Sequence, residues 1–312
     1  MSGPAGALDA PPLGARAQLR LLLPFIAITL IWSSTWLVIR GQLGTVAPAW
    51  SIAYRFALAS LVLFAWLAAR RERLGLPRSA FGLVAVIALS QFALNYLLVY
   101  AAEGQIASGL VALLFALLVV PNAILGWLVL GVGISRRFLI GSIVALAGVV
   151  LLATHELAAG GMGRHAAMLG IGYSLAGVLA ASVANVAQAT RRAAALPKVT
   201  LLAHAMWLGA LIDAAWAWAT GGPPGFDFSP AYIAGLVYLG VLGSSIAFVL
   251  YLDVIRAIGP ARAAYSSVLI PIIAMLLSTV FEHYVWGWQA ALGCALSLAG
   301  LLIAIRARNP AR

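Results

Sequence analysis

The sequence predicts an all-α integral membrane protein, with ten transmembrane helices forming two inverted five-helix repeats and both termini in the cytoplasm. Three observations carry that prediction. Hydrophobic residues make up 64% of the 312-residue chain and charged residues only 9%, far from the balance of a soluble domain. Apolar runs near the ~20 residues needed to cross about 30 Å of hydrocarbon recur along the chain, ten in all. When the chain is laid over itself at a shift of about 150 residues, its prolines and glycines come into register.

Residues 1–20 are rich in Gly, Ala and Pro and read as a disordered cytoplasmic tail. The first apolar run exceeds the roughly 7–15 residues of a signal-peptide core and shows no A-x-A-like site, so it is expected to remain as a helix. The spans are placed at Leu21–Arg40, Trp50–Ala69, Ser79–Tyr100, Ile106–Leu130 and Phe138–Thr154 in the first half, residues 21–154. An external linker, 155–165, leads to Ala166–Thr190, Val199–Thr220, Ser229–Val254, Pro260–Val285 and Trp288–Ile305 in the second half, 166–306, and a short tail, 307–312, closes the chain. The connections are short and marked by turn residues such as Gly221 to Gly225 and Gly259-Pro260, leaving no room for a soluble domain.

Charge sets the orientation. With the N-terminus inside, only Arg40, Arg55 and Arg164 of the 19 basic residues fall outside the cytoplasmic segments, which satisfies the positive-inside rule. The same distribution argues against nucleic-acid binding, because the net charge of +11 forms no stripe. The single cysteine, Cys294, lies in an apolar run without His or Cys neighbours and reads as an inert core thiol, so no metal site is expected. No catalytic motif of the H-E-x-x-H, G-x-S-x-G or Walker A type occurs, so neither an enzyme nor a cofactor is expected.

The repeat sets Gly141–Ala153 over Gly293–Ile305, Pro121 over Pro271, Gly109 over Gly259 and Pro48 over Pro197. Five spans per repeat force the second half to enter the membrane from the opposite side. That inverted arrangement recurs in secondary transporters, where two halves exchange conformations around a midplane site. Pro121 and Pro271 are therefore expected to be a matched pair of kinks.

Four stretches, "IWSSTW" (31–36), "AYRFALASLVL" (53–63), "FALNYLLVYAAEGQIASGLVALLFALLVVP" (92–121) and "LGSSIAFVLYLDVIRAIGPARAAYSSVLIP" (242–271), resemble the drug/metabolite transporter superfamily, specifically its EamA-like permeases. The resemblance covers nearly the whole chain after residue 20. It implies a ten-helix permease with a central cavity, often exporting amino acids or other metabolites. The family tends to carry an acid near the ends of the fourth and ninth helices. Here Val132 stands at the first position and Glu282 at the second, where Glu282 reads as a solvated interfacial charge.

Ionisable groups inside spans are costly and so become functional candidates. Arg55, His204 and Asp213 qualify as gating or coupling residues. Arg55 either snorkels to the interface or meets an anionic substrate group. His204, its repeat counterpart, is either a hydrogen-bonded core histidine or a proton-responsive group. Asp213 lies nine positions after His204, which places the two on opposite faces of one helix. Neutral polar residues share faces: Gln91 with Asn95, and Ser182 with Asn185 and Gln188. Gln91, Asn95, Asn185 and Gln188, together with Asn122, Thr35, Trp32, Tyr96, Tyr265 and His204, form the candidate substrate pathway, the alternative for the amides being interhelical hydrogen bonding.

The sequence thus predicts an inner-membrane permease or exporter of small amphipathic metabolites, amino acids foremost, working by alternating access without ATP hydrolysis. Its partners are membrane lipid and a small-molecule substrate, and nothing specifies an oligomeric state. A proton antiporter using His204 or Asp213 is the alternative, and a membrane enzyme or scaffold subunit acting on lipid-linked substrates is the second.

Overall fold

A computed structural model of the chain describes residues 15–44, 46–159, 163–258 and 266–307. Among them every regular element is helical. We number the ten apolar helices α1 (Ala15–Gly41), α2 (Pro48–Ala69), α3 (Arg78–Glu103), α4 (Ser108–Leu130), α5 (Arg136–Ala159), α6 (Arg164–Gln188), α7 (Lys198–Gly221), α8 (230–258), α9 (Ser266–Phe281) and α10 (Trp288–Ile305). Nine are long and apolar enough to cross a membrane. The tenth, α9, is apolar but has 16 residues. Its expected start at Pro260 lies outside the described residues.

Helices form because a backbone surrounded by hydrocarbon must satisfy its hydrogen bonds within its own segment. Their ends follow local chemistry. Proline occupies the first turn of α2 and α8, where its missing N–H costs nothing, and the Ser229 hydroxyl caps α8 by accepting from Tyr232 N. Gly131 ends α4 in a left-handed turn, φ 71°, that a side chain would resist. Several helices run past their expected ends. α1 begins at Ala15 instead of Leu21, α5 continues to Ala159 into the expected linker, and α3 continues three residues past Tyr100 to Glu103.

Two features show the repeat in three dimensions. Each half contains one π-helical segment, Ala88–Leu94 in α3 and Tyr238–Ile246 in α8, whose starts are separated by 238 − 88 = 150 residues. The π segment of α3 packs on α7, and that of α8 packs on α2. The pairs α2·α7 and α5·α10 then join the halves. Ser60 Oγ donates to Ala203 O at 2.8 Å in the first pair. In the second, backbones touch: a Cβ at Gly148 would sit 2.5 Å from both Gly293 O and Ser297 N. Without a hydrophobic driving force between helices in lipid, such close small-residue contact is what association uses.

Basic residues gather at one set of helix ends. Arg70 follows α2, Arg78 opens α3, Arg136 and Arg137 open α5, Arg191, Arg192 and Lys198 lie between α6 and the start of α7, and Arg306 follows α10. We call this end the basic face. The opposite face carries the α3–α4 and α9–α10 connections.

Candidate functional site

A cavity of about 650 Å³ lies between the two halves. It reaches the basic face, where its wall includes Gln188, Lys198, Ser266 and Ile305 at helix ends. Toward the opposite face it stops at Ile39, Val99 and Ala112.

α4 and α9 explain that asymmetry. At the opposite face their backbones meet: a Cβ at Gly109 would lie 2.8 Å from Met275 Cα and 2.9 Å from Ala274 O. α4 then tightens into a 3-10 turn at Ala116–Leu118, just before Pro121, whose ring and missing N–H forbid a regular α-helical bond there. Beyond it, Val119–Leu130 packs on α6. Pro271, inside α9, lines the cavity. The expected pair of prolines therefore stands in α4 and α9, although only α4 shows a described change of helix type.

The floor of the cavity is organised by the π segments. A π turn leaves carbonyls out of the regular ladder and is frequent at functional positions. Gly243 O, in the π segment of α8, accepts from Trp32 Nε1 at 3.1 Å. The neighbouring Ser244 Oγ accepts from Arg55 Nε at 3.1 Å. Arg55 is 1% exposed, eight residues into the α2 sequence, so it does not snorkel to the interface. Its guanidinium carbon lies 4.5 Å from the centroid of the Tyr96 ring and 5.3 Å from that of Phe56. Its Nη2 approaches Tyr96 Oη at 3.5 Å, and its Nη1 is buried without a hydrogen-bond partner.

Aromatic and amide groups complete the wall. Trp32 meets Phe248 and Tyr251 edge-on at 5.6 and 5.0 Å, and Trp36 meets Phe115 at 5.2 Å. Asn122 Oδ1 accepts from Asn185 Nδ2 at 3.4 Å, joining α4 to α6. Gln188 Nε2 donates to Ala184 O at 3.3 Å. Asn95 Oδ1 is buried and unpartnered. Thr35 Oγ1 donates to Trp32 O at 2.7 Å. Of the expected pathway residues, Trp32, Thr35, Gln91, Asn95, Tyr96, Asn122, Asn185 and Gln188 share this one cavity. No acid is among its described lining residues.

Two candidates are elsewhere. His204 is half-buried, pairs through Nδ1 with Thr200 O of its own helix at 2.9 Å and packs edge-on against Phe64. It does not line the cavity, so its place in the expected pathway is corrected: its ring turns to α2 and its own helix turn. Asp213 is fully buried in α7 with neither carboxyl oxygen partnered, again outside the cavity wall. Tyr265 lies outside the described residues.

The closed end holds acidic groups that sequence reasoning placed in water or did not single out. Glu282 accepts from Ser108 N at 3.0 Å, from Ser108 Oγ at 2.8 Å and from Ser278 Oγ, and it lies 3.7 Å from Arg40 Nε. It is thus an anion at the N-terminus of α4, not a solvated interfacial charge. Glu103, at the end of α3, is fully buried and both of its carboxyl oxygens lack a partner. An acid only three residues past an expected span end looks like an exit signal, which is why the chain alone hides it. Nearby, Tyr284 Oη donates to Glu156 Oε1 at 2.6 Å. Burial first and that bond second push the phenol above its ordinary range.

Comparison with known proteins agrees with the architecture. The model of the EamA-like transporter family matches residues 20–154 and again 168–306. Protein PagO of Salmonella typhimurium is 26% identical over 286 residues, covering 90% of each chain. A solved crystal structure of a protein superposes with a TM-score of 0.66 over 91% of this chain and 96% of its own, at 22% identity, which shows a shared fold.

Proposed function

The chain belongs to the EamA-like transporter family, and from that premise we propose that it is a permease carrying small amphipathic metabolites, amino acids or related compounds foremost, by alternating access without ATP hydrolysis. It is a multi-pass membrane protein, and we place it in the inner (plasma) membrane with both termini and the basic face in the cytoplasm. The observation that supports this reading is a cavity between two repeated halves that reaches one face and is closed at the other by the contact of α4 with α9. Amides, hydroxyls and aromatic rings in its wall suit a ligand with one polar and one apolar end.

Reconstitution tests it directly. Purified protein in liposomes is expected to exchange labelled amino acids across the bilayer with saturable kinetics. Flux no faster than in protein-free liposomes, across amino acids, purines and amphipathic drugs, contradicts it.

A second reading, proton-coupled antiport, is favoured by the unpartnered carboxyl of Asp213 rather than by His204. It predicts that Asp213→Asn removes the response of flux to an imposed pH gradient while exchange at equal pH continues.

A further inference from the structure

We propose that Arg55 is the docking point for a substrate carboxylate, and that the transported class is therefore organic monocarboxylates with a compact apolar body, amino acids being one subset. This inference rests on the permease reading and narrows it.

A buried guanidinium in a membrane protein needs a reason, because charge in the interior is costly and is retained where it pairs or lines a pathway. The partners of Arg55 are incomplete. Of its five N–H donors, Nε–H goes to Ser244 Oγ and Nη2 approaches Tyr96 Oη, whereas Nη1 has no acceptor. Ser244, Tyr96 and the buried Tyr100 hydroxyl beside the guanidinium are neutral, so these contacts leave the charge uncompensated. Glu103 does not supply the counter-ion: it acts on Arg55 only at a distance, no ion pair within 4 Å joins them, and both of its oxygens are themselves unpartnered. Arg55 is one of the residues lining the cavity, and the described lining residues include a second cation, Lys198 at the basic-face end, and no acid. A positive cleft with mostly apolar walls draws anions inward and strengthens their binding.

Geometry selects the kind of anion. Tyr96 covers one face of the guanidinium and Ser244 holds Nε, while Nη1 is buried without an acceptor, so a carboxylate reaches it only as the side chains over it give way. One guanidinium edge matches one carboxylate; a phosphate dianion would keep a charge uncompensated beside Phe56 and Phe92. The rest of the ligand meets the aromatic group of Trp32, Phe248 and Tyr251. Asn95 Oδ1, a buried acceptor without a donor, offers the ammonium of an amino acid a site but demands none.

Two isosteric probe sets carry the test, one with a phenyl body and one with a branched aliphatic body. The first comprises phenylalanine, 3-phenylpropionate, 2-phenylethylamine and phenyl phosphate; the second comprises leucine, 4-methylpentanoate and isopentylamine. Thermal stabilisation of the detergent-purified full chain and competition for flux in proteoliposomes are read for each. In the wild type the amino acid and the acid of at least one set should engage about 10- to 100-fold more tightly than the matching amine. Arg55→Gln should erase that preference, Arg55→Lys should retain part of it, and Tyr96→Leu should weaken the acids while keeping their rank over the amines.

Amines equal to acids in the wild type overturn the inference, as does an undiminished acid preference in Arg55→Gln. Phenyl phosphate binding more tightly than 3-phenylpropionate overturns the carboxylate assignment. Amines or neutral solutes crossing while acids do not would remove this inference and leave the permease reading standing. No probe of any charge engaging or crossing would remove both.

Discussion

The two halves are alike in scaffold and unlike in chemistry. Both contain a π segment at matching positions, both place a proline in the helix facing the other half, and their last helices pack glycine against glycine. Their matched positions then diverge. Arg55 in α2 is folded under Tyr96 at the cavity, whereas its counterpart His204 in α7 bonds its own helix turn. Asn122 in α4 reaches across to Asn185, while its counterpart in α9 is Ile272, a partly buried apolar residue. The repeated features concern how helices touch and bend; the unrepeated ones concern what a solute meets. On the proposed mechanism, symmetry supplies the movable frame and its violations supply recognition.

Breaking the shared frame should cost most. Gly148→Leu and its repeat counterpart Gly300→Leu each push a side chain into the backbone of the facing helix. Both should destabilise the fold by about 1–3 kcal/mol or more, seen as similar falls in Tm in detergent. A large fall in one and none in the other would show that the α5·α10 contact is not the symmetric joint described.

Altering the unrepeated groups should leave stability nearly intact and change selectivity. Asn122→Leu and Asn185→Leu each remove the same bond, worth on average only about 0.6 kcal/mol among membrane helices. Each is expected to shift the ratio of flux for polar against apolar substrates by about 10-fold, and the double variant should add little to either. Fully additive shifts would mean that the two amides act on substrate separately. The smallest effect is expected at His204. His204→Gln should keep flux within about twofold of wild type at any pH between roughly 6 and 8, and a large loss would place a proton or substrate on the histidine after all.

Much of this was legible in the chain. Ten apolar runs, the repeat and the family all followed from length, register and motif, because hydrocarbon thickness leaves helices few choices. The side-by-side polar stripes Gln91/Asn95 and Asn185/Gln188 also pointed to one cavity, since groups three or four apart share a helix face. Periodicity could not tell which neighbour a face meets, and that is why His204 was expected beside the amides. Nor could it reveal the π segments: Ala88–Leu94 has an ordinary helical composition, and its register is set by packing on α7, where Phe92 presses against Gly209. Glu282 was hidden for a related reason. A terminal acid looks solvated until the start of another helix, here Ser108, is brought against it.

The contact of α4 with α9 offers the most direct measurement of alternating access. Ser108 Oγ and Ser278 Oγ both donate to Glu282 Oε2, so the two side chains converge on one atom at the closed end. In a Cys294→Ala background, Ser108→Cys with Ser278→Cys can be oxidised to a disulfide that holds the closed end shut, and reduced again. Transport in proteoliposomes should fall to background on oxidation and return on reduction. Undiminished flux with the disulfide verified by mass spectrometry would contradict a mechanism in which this end must open.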